Sequence, residues 1–523
     1  MANQNLFAAL RAGFPADLDA VAIETADAPA SSAGQPFTPL RYTWRDLDHA
    51  TARLANLLAS LKLPAGARVA VQTEKSVEAL MLYLAVLRAG YVYLPLNTAY
   101  QSAEIDYFIG NAEPAVVVCA PKNFTWFSRI AFKAGTAHVF TLGDDRSGSL
   151  LERAAHCGDT HNPSIKQADD MAAILYTSGT TGRSKGAMLS HGNLLSNAVV
   201  LKDYWGWRAD DVLIHALPIF HVHGLFVASH GALLAGAKMI WFSRFDPRAT
   251  IARFGEATVC MGVPTLYVRM LAEPALTPAA CRHMRLFIAG SAPLLAETFN
   301  DWRARSGHAI LERNGMSETA MLTSNPYVQA QGERRAGTVG LPLPGVGLRV
   351  CGDGGAICGV DEIGGIEVSG PNVFAGYWRL PEKTAEEFSV ADDGTRWFKT
   401  GDVGKIDGRG YVVIVGRSKD LIISGGYNVY PAEIEGTLND MPGVMESAVI
   451  GAPHPDFGEA VVAVVVAKPG VVLDAAAMQL ELKSRIANFK VPKRLFIVSD
   501  LPRNAMGKVQ KNLLRDKHKG LFV

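Results

Sequence analysis

A segment rich in glycine and hydroxyl side chains has the composition of a loop that binds phosphate groups. An apolar run, residues 172–176, leads into Thr177 to Gly186, where ten residues supply three glycines, five hydroxyls and two cations. Glycines let a backbone approach a ligand, hydroxyl and N–H groups donate to phosphate oxygens, and cations offset phosphate charge. The segment lacks the Gly-Lys-Ser/Thr ending of the Walker loop. A Gly/Ser linker is the alternative, but a strand that enters the loop directly favours phosphate binding.

Histidine and glutamate side chains follow two other apolar runs. His221 and His223 form no familiar metal-ligand spacing with the upstream His215, so we expect no metal site at these histidines. Glu318 follows a glycine-containing turn. A carboxylate in that position suits Mg²⁺, a hard cation that prefers oxygen ligands.

Two more charged side chains lie beside turns in the last third of the chain. Asp402 ends the segment Trp397-Phe398-Lys399-Thr400-Gly401-Asp402, and Lys508 directly follows Gly507. Both charged side chains are candidates for contact with a bound ligand. A surface salt bridge is the alternative for Asp402 and for Arg417, and simple solvation is the alternative for Lys508.

Composition excludes several classes of protein. The chain has 523 residues, so several domains are expected, and 51 Lys plus Arg against 50 Asp plus Glu gives a net charge of +1. That balance carries no signature of nucleic-acid or membrane binding. The six cysteines form no C-x-x-C pair, the first residues lack a secretory pattern, and no run of about 18 apolar residues exists. We therefore expect a cytoplasmic protein with reduced thiols.

The elements that must position these motifs alternate between strands and helices. Helical periodicity covers residues 50–61 and 76–89. Short apolar runs typical of buried parallel strands recur at 68–72, 91–95, 115–120, 137–142, 212–217, 238–242, 257–263, 285–288 and 308–311. This rhythm predicts a layered α/β architecture.

The composition of the sequence changes after about residue 336. Residues 337–415 are rich in Gly and Pro with short strands, and a polar link at 416–420 leads to a tail of about 100 residues, enough for a small domain. We predict an N-terminal domain of layered α/β subdomains over 1–417, with a β-rich subdomain at about 337–417. A small, mobile α+β domain is predicted over 418–523.

These motifs, taken together, resemble those of the adenylate-forming superfamily, which includes acyl-CoA synthetases, peptide-synthetase adenylation domains and luciferases. The resemblance extends from about Tyr42 to Leu514, nearly the whole chain. It implies an acid:CoA ligase that uses ATP and Mg²⁺, couples an acid to AMP, and then passes the acyl group to coenzyme A.

The resemblance implies specific roles at the nucleotide. The implied ATP-binding residues are Thr177, Ser178, Gly179, Thr180, Thr181, Gly182, Lys185, Asn314, Thr319, Asp402, Arg417 and Lys508. Glu318 and Thr181 would hold Mg²⁺, Thr319 would lie by the α-phosphate, and Asp402 would accept hydrogen bonds from the ribose hydroxyls. Asn314 stands where the family usually has an aromatic residue beside adenine, and an amide can still pack on the base and hydrogen-bond to it.

The resemblance also implies the chemistry. The implied catalytic residues are Lys508, His221, Thr181 and Glu318. Lys508 would offset charge in the adenylation transition state, and His221 would donate to the acyl phosphate. Coenzyme A must then enter where Lys508 lies, so the tail domain would rotate about Lys419 and bring Gly425 and Gly426 to the pantetheine arm. Because the lysine is acetylated in relatives, a lysine acetyltransferase and a deacetylase acting on Lys508 are predicted partners.

The acid is inferred mainly from Arg313. Acyl and aryl relatives commonly have glycine or another small residue there, at the far end of the acyl pocket, whereas a guanidinium suits a second carboxylate. Ser291 is a candidate second donor, His221 would contact the reacting carboxylate, and Met316 would wall the pocket near the α-carbon.

Within the superfamily, residues 220–224, 312–327 and 370–374 resemble malonyl-CoA synthetases. We therefore predict that malonate, ATP and coenzyme A give malonyl-CoA, AMP and pyrophosphate through malonyl-AMP, with methylmalonate as a second acid. The alternative for Arg313 is an internal ion pair with Glu312 or Glu318, which would remove the argument for a diacid.

Three other functions stay open. A medium-chain or aryl acid:CoA ligase is disfavoured by Arg313. An amino-acid adenylation enzyme usually carries an aspartate near the pocket entrance, and residues 218–221 contain none. A non-catalytic nucleotide- or malonate-binding protein is disfavoured by Lys508, Glu318 and Thr181.

Overall fold

The computed structural model describes residues 3–29, 37–177, 184–425, 427–504 and 507–522. Helices and strands alternate over the first third of the chain: α1 (Leu6–Ala12), β1 (Val21–Thr25), β2 (Arg41–Thr43), α2 (Trp44–Ser60), β3 (Arg68–Gln72), α3 (Val77–Arg88), β4 (Val92–Pro95), α4 (Ser102–Ala112), β5 (Val116–Cys119), α5 (Phe124–Lys133), β6 (His138–Thr141), α6 (Ser149–Ala154) and β7 (Met171–Thr177).

The middle of the chain continues the alternation and ends in three consecutive strands. Its elements are β8 (Lys185–Ser190), α7 (His191–Tyr204), β9 (Val212–His215), a π-helix (His223–Ala228), α8 (Ser229–Ala235), β10 (Lys238–Trp241), α9 (Pro247–Ala252), β11 (Val259–Gly262), α10 (Pro264–Leu271), β12 (Leu286–Ala289), α11 (Ala296–Ser306), β13 (Leu311–Met316), β14 (Ala320–Ser324) and β15 (Leu341–Pro342).

The last third is richer in strands. A β-rich segment contains β16 (Gly347–Cys351), β17 (Gly364–Ser369), β18 (Gly376–Tyr377), α12 (Pro381–Glu386), β19 (Phe388–Val390), β20 (Arg396–Ile406) and β21 (Val412–Arg417). The tail contains β22 (Ile422–Ser424), β23 (Tyr427–Val429), α13 (Pro431–Asn439), β24 (Val444–His454), β25 (Gly458–Ala467), α14 (Ala475–Arg485), β26 (Arg494–Val498) and α15 (Lys511–His518).

Two large sheets form the body of the described residues. One has the strand order β15-β14-β13-β12-β11-β9-β10-β1-β2, and the other has the order β18-β8-β7-β4-β3-β5-β6. Strands β9 to β13 pair in parallel with one another, whereas β13 pairs antiparallel with β14. Parallel strands are covered by helices on both faces, so they need apolar residues on both faces, which is why the sequence shows continuous apolar runs there. The α/β fold class with a smaller α+β tail is confirmed.

Helix α3 shows how the main core is closed. Every residue from Val77 to Arg88 is buried, so the helix is apolar almost all round and lies inside the molecule rather than on its surface. Ser76 caps its first turn by accepting a hydrogen bond from the Ala79 N–H at 3.1 Å. The charged Arg88 is tolerated because it pairs with Asp48 at 2.8 Å.

The β-rich segment and the tail have their own sheets. The first has the order β16-β17-β20-β19 with β21 paired to β20, and the second has the order β23-β22-β25-β24 with β26 paired to β25. Strand β21 ends at Arg417 and β22 begins at Ile422, so we propose that the domain boundary lies in this interval, at about residue 418. Two short strands of the β-rich segment join the large sheets instead, because β15 pairs with β14 and β18 pairs with β8.

The strand predicted at residues 308–311 begins later than expected. It starts at Leu311 and extends to Met316, so Glu312 and Arg313 lie within β13 and not in a turn that follows it. Successive side chains of a strand point to opposite faces, and these two therefore face different surroundings. No helix among the described residues combines the length and apolarity needed to cross a membrane.

Candidate functional site

His221 lies on the segment between β9 and the π-helix, at the carboxyl edge of the parallel strands, where α/β sheets place their ligand sites. Its Nδ1 accepts a hydrogen bond from the His223 N–H at 3.2 Å, and its carbonyl accepts from the Leu225 N–H at 2.9 Å. Desolvation, together with the nearby Arg313 and Lys508 cations, lowers the pKa of His221 to about 4. The ring is therefore neutral at pH 7, with a defined orientation. Single π-helical turns, such as the one that begins at His223, are frequent at functional sites.

Lys508 comes from the tail but lies beside residues of the N-terminal domain. Its N–H donates to Asn504 Oδ1 at 3.0 Å, and the preceding Gly507 has φ +73°, a conformation that favours glycine. A Cβ at Gly507 would lie only 2.9 Å from Thr265 Oγ1, at the start of α10. Desolvation in the cleft lowers the pKa of Lys508, Arg417 adds to this lowering, and attraction by Asp402 opposes it. The tail thus presents its lysine to the cleft in this arrangement.

Asp402 and Arg417 pair with each other across neighbouring strands. They are direct partners in the β20–β21 register, and Arg417 Nε lies 2.6 Å from Asp402 Oδ1. Asp402 is 5% exposed, and its burial raises the pKa of the carboxyl. Arg417 also donates to the carbonyl of Thr400 at 3.1 Å. The salt bridge that the sequence analysis gave as an alternative is therefore formed, between a buried Asp402 and a half-buried Arg417.

Glu318 is buried close to the strand that follows the phosphate loop. It accepts a hydrogen bond from the Tyr377 hydroxyl at 3.0 Å, and Lys185 Nζ lies 4.2 Å from the centre of the Tyr377 ring. Burial raises the pKa of Glu318, and the Tyr377 hydrogen bond, Arg417 and Lys185 oppose this. Lys185 also lies 3.4 Å from Glu387 Oε1, so it is already partly neutralised.

The Glu318 carboxylate suits Mg²⁺ by its chemistry. Mg²⁺ is typically held by one or two carboxylates plus waters and substrate phosphates, not by a cage of protein ligands. In agreement, the described residues contain no group of three or more His, Cys, Asp or Glu side chains able to hold a metal ion. The second predicted ligand, Thr181, lies outside the described residues.

The remaining predicted nucleotide residues are partly positioned. Thr177 and Lys185 are paired partners in β7 and β8 and hold the two ends of the phosphate loop together, with Thr177 Oγ1 donating to the Lys185 carbonyl at 3.4 Å. Ser178, Gly179, Thr180 and Gly182 lie outside the described residues, as Thr181 does. Thr319 is fully buried and donates from Oγ1 to the Ala320 carbonyl at 3.2 Å. Asn314 is half-buried in β13, opposite Thr323.

Arg313 is buried without a protein partner for most of its guanidinium. The residue is 2% exposed, and neither Nε nor Nη2 has a hydrogen-bond partner among the described residues. The alternative ion pair with Glu312 or Glu318 is not formed within the described chain, although Glu312 attracts the cation at longer range. Burial lowers the pKa of Arg313 to about 9, so it remains charged at pH 7. The three N–H groups on Nε and Nη2 are therefore buried and unpaired among the described residues.

Glu312 offsets the charge of this arginine only weakly. Its Oε1 accepts from the Leu294 N–H at 3.1 Å, and its Oε2 has no partner among the described residues. Burial raises the pKa of Glu312 to about 8, so the carboxyl is largely protonated at neutral pH. The net charge of this part of the cleft is consequently positive.

His223 lies beside Ser291, one of the predicted acid-binding residues, although the sequence analysis named no acid-binding role for it. Its Nδ1 lies 3.3 Å from Ser291 Oγ, and its Nε2 has no partner among the described residues. Arg313 is near enough to contribute to the lowered pKa of His223, whose largest cause is burial. Ser291 itself has φ +73°, an unusual conformation for a non-glycine residue. Only the fold, through the juxtaposition of the π-helix and the end of β12, brings His223 to this position.

The predicted hinge and coenzyme A residues lie in the tail. Lys419 is in a short 3₁₀ turn, Ser418–Asp420, and desolvation lowers its pKa to about 8. Gly425 is exposed, has φ +59°, and donates from its N–H to the Phe457 carbonyl at 2.9 Å. Its contacts are thus within the tail while Lys508 is at the cleft. Gly426 lies outside the described residues, and Met316 is half-buried at the end of β13.

A cavity of about 460 Å³ reaches the segments that carry His221 and Lys508. Its walls include Pro218, Phe220, Thr265 and Gly507, and the cations that line it are Lys75, Arg244, Arg269 and Arg503.

Two family models match separate parts of the chain. The family described as "AMP-binding enzyme" matches residues 18–378, and "AMP-binding enzyme C-terminal domain" matches residues 433–508. A malonate–CoA ligase of Arabidopsis thaliana is 36% identical over 484 residues, with 86% of this chain and 78% of that protein covered. A feruloyl-CoA synthase of Amycolatopsis sp is also 36% identical, over 482 residues, covering 90% of this chain and 93% of that protein.

Two solved structures are more similar to this chain in sequence than these relatives are. ATP-bound MatB from Rhodopseudomonas palustris is 54% identical over 100% of both chains, with a TM-score of 0.94. The apo form of the same protein, at the same identity and coverage, has a TM-score of 0.83.

Proposed function

Because the chain belongs to the AMP-binding enzyme family, we propose that it is a malonate–CoA ligase, which forms malonyl-CoA from malonate, coenzyme A and ATP. The family and its relatives support the coarser statement, that the chain is an AMP-forming acyl-CoA ligase. The choice of malonate rests on one observation: Arg313 is a buried cation whose Nε and Nη2 lack partners among the described residues.

The energetic argument favours a diacid. A buried charge left without a partner costs about 3–5 kcal/mol, so a pocket built around Arg313 is stable when a ligand anion pairs with it. A carboxylate can accept two parallel N–H bonds from one guanidinium, which adds geometric selection to the charge. A monocarboxylic acid would bring an apolar tail to the same place and leave the cation unpaired. Ser291 and His223 add polar groups beside Arg313 that suit a carboxylate and not a hydrocarbon.

The first carboxylate of the acid would lie between His221 and Lys508. The neutral His221 ring can donate to oxygen at the acyl phosphate without adding to the positive charge of the cleft, and Lys508 supplies the cation that offsets charge in the transition state. Asp402, beside Arg417, would accept from the ribose hydroxyls. Glu318 would hold Mg²⁺, which screens the charge of the ATP phosphates and orients them when it is bound.

The second half of the reaction requires the tail to move. In this arrangement Lys508 occupies the cleft and Gly425 is exposed away from it. We infer that rotation about Lys419 withdraws Lys508 and brings the turn at Gly425 and Gly426 to the pantetheine arm of coenzyme A, which approaches through the cavity beside Pro218. Lys508 is exposed in this arrangement, and we expect a lysine acetyltransferase and a deacetylase to act on it.

Relatives of similar sequence identity are named for other acids, so an experiment must decide which acid this chain activates. Pyrophosphate release is measured with malonate, methylmalonate, acetate, octanoate and 4-coumarate at equal concentrations. We expect malonate to have the highest kcat/KM, with methylmalonate second because Met316 crowds the α-carbon. Equal or faster turnover of any monocarboxylate would refute the diacid assignment and leave the AMP-forming chemistry intact.

A further inference from the structure

Gly290 lies directly behind the guanidinium of Arg313. It follows β12 and is buried, and a Cβ placed on it would lie 2.5 Å from Arg313 Nη1 and 2.6 Å from Cζ. Such distances are far below any van der Waals contact between a carbon and these atoms. The flat guanidinium therefore occupies the volume that a side chain at position 290 would fill.

The backbone of Gly290 does not itself require glycine. Its φ is not among the positive values of the described residues, unlike that of the next residue, Ser291, at +73°. A glycine with ordinary φ in a buried position loses conformational entropy on folding without a compensating turn. Glycine is required here because Arg313 occupies most of the volume that a side chain at position 290 would need.

Arg313 is enclosed by the fold. The residue is 2% exposed and its Nε and Nη2 are buried, so a methyl group at position 290 must displace the guanidinium or the atoms around it. A shift of about 1 Å in a substrate-positioning group can cost on the order of 10² in rate.

We propose that Gly290 is a specificity-determining position of this enzyme, which seats the Arg313 guanidinium at the depth that suits the distal carboxylate of a short diacid. The proposal rests on the function proposed above, since it concerns the same acid pocket. Gly290 acts through Arg313 and is a positioning residue: it binds no substrate itself.

A double-mutant cycle tests this coupling. Gly290→Ala is made in the wild type and in Arg313→Gly, where the atoms nearest to the new methyl group are gone. In the wild type we expect kcat/KM for malonate to fall about 10²-fold, mainly through KM for malonate, with KM for ATP unchanged. In the Arg313→Gly background, Gly290→Ala should change kcat/KM for octanoate less than about threefold.

A second contact of the new methyl group, with the backbone, remains in both backgrounds. The same cycle distinguishes its effect from that of the contact with the guanidinium. The new Cβ would also lie 2.8 Å from the Arg313 carbonyl oxygen, a clash that Arg313→Gly does not remove. If this clash dominated, Gly290→Ala would reduce activity equally in both backgrounds and would raise KM for ATP as well, and the proposal would be overturned. Gly110→Ala is the matched control, because Gly110 has ordinary φ and no heavy atom lies within 4 Å of the point that its Cβ would occupy, so no kinetic constant should change.

Thermal unfolding gives a readout that does not depend on which acid is the substrate. The midpoint should fall more when Gly290→Ala is made in the wild type than when it is made in Arg313→Gly, because only the former places a methyl group against a buried guanidinium. Equal shifts would overturn the seating of Arg313 on Gly290. A preference for monocarboxylates in the wild type would instead refute the proposed function and leave this packing result standing.

Discussion

At the scale of single residues, the acid pocket depends on one cation that the described chain does not pair. Arg88 and Arg285 are also largely buried, but each is paired with an aspartate, Asp48 or Asp211. Arg313 differs because Nε and Nη2 lack partners within the described chain and Glu312, next to it, is largely protonated. An unpaired buried cation destabilises the free protein, and under the proposed function the second carboxylate of the acid would pair with it.

Replacing Arg313 by methionine keeps most of the volume of the side chain and removes the charge. We expect kcat/KM for malonate to fall on the order of 10⁴, since a distal carboxylate buried without its partner loses the interaction for which the site is built. The rate with octanoate should rise over the wild type. Steady-state pyrophosphate release with both acids measures the two effects. The control is Arg248→Met, at an exposed residue paired with Glu273, which should leave both rates unchanged; a similar malonate rate in Arg313→Met would contradict the role of the cation.

At the scale of elements, the site is assembled where segments of different sheets end. The segment after β9 carries His221, β13 carries Arg313, the β20–β21 pair carries Asp402 and Arg417, and the loop before α15 carries Lys508. Each short element is anchored by its own sheet, so the side chains are held from several directions. The π-helix adds a constraint on His221 through the hydrogen bond from Leu225.

Gly507 is the element-scale feature that lets the tail loop contact α10. Gly507→Ala introduces a methyl group about 2.9 Å from Thr265 Oγ1 and also places alanine at φ +73°. Gly470→Ala is the matched control, because Gly470 has φ +79° but open space around a Cβ. Both variants should lose about 1 kcal/mol of stability from the positive φ.

Only Gly507→Ala should slow adenylation, by about tenfold, because Lys508 is pushed back from the cleft. Malonate-dependent exchange of labelled pyrophosphate into ATP measures that step, and urea titrations measure stability. Thioester formation from supplied malonyl-AMP should be unaffected in both variants. Equal adenylation rates in the two variants would show that the contact with Thr265 does not position Lys508.

At the scale of the whole molecule, the two half-reactions need two positions of the tail. A Cβ at Gly507 would lie 3.5 Å from Thr265 Cβ, within the range of a disulfide. We expect the oxidised double variant Thr265→Cys, Gly507→Cys to adenylate malonate at the rate of its reduced form, and to lose thioester formation by at least about 10²-fold because rotation is blocked.

Single-turnover assays of each step, before and after reduction, measure this. The two single-cysteine variants control for the native thiols, of which Cys157 and Cys358 are partly exposed, and neither should respond to oxidation. Unimpaired thioester formation in the cross-linked protein would exclude a rotation that separates Gly507 from Thr265.

The pH dependence of stability is also a property of the whole molecule. Burial lowers the pKa of His191 and His221 to about 4 and that of His230 to about 3, and it lowers the pKa of His215 and His223 well below 6.5. Below pH 6.5 the unfolded chain therefore binds more protons at these histidines than the folded chain, so each contributes a loss of about 1.4 kcal/mol per pH unit as pH falls.

Buried carboxyl groups oppose this loss of stability at low pH, but they are fewer than the histidines. The pKa of Glu312 is raised to about 8, so between about pH 4.5 and 8 this carboxyl holds a proton in the folded chain that the unfolded chain has lost. Burial raises the pKa values of Glu318 and Asp402 as well. Because burial also lowers the pKa values of His161, His308 and His518, eight histidines against three carboxyls predict a net loss of stability from pH 7 to pH 5.

His230→Gln tests one term of this balance. The amide can replace the ring as a partner for the Tyr83 hydroxyl, which lies 2.8 Å from His230 Nε2. The slope of unfolding free energy against pH, from urea titrations at pH 5, 6 and 7, should decrease by about 1.4 kcal/mol per unit. His156→Gln, at an exposed residue, should leave the slope unchanged. An unchanged slope in His230→Gln would mean that this ring is not buried neutral.

Much of this protein is determined by local sequence. Apolar runs long enough to be strands, separated by helical periodicity, predicted the layered α/β class, because buried parallel strands need apolar side chains on both faces. The change in composition after residue 336 predicted the strand-rich segment, and the motif residues Lys508, Asp402, Glu318 and His221 were all named from the sequence. Their family resemblance supplied the chemistry, since residue type and order within a motif are local properties.

The tertiary structure decided what depends on distance between segments. Whether Arg313 pairs with a neighbouring glutamate could not be read from adjacency, because alternation along β13 and the protonation of Glu312 are set by the fold. The same holds for His223, which reaches Ser291 only through the π-helix, and for Gly290, whose role is visible only as a missing volume behind the guanidinium. The sequence specifies the type of each side chain, but its burial and its lack of a hydrogen-bond partner depend on which residues pack around it in the folded protein.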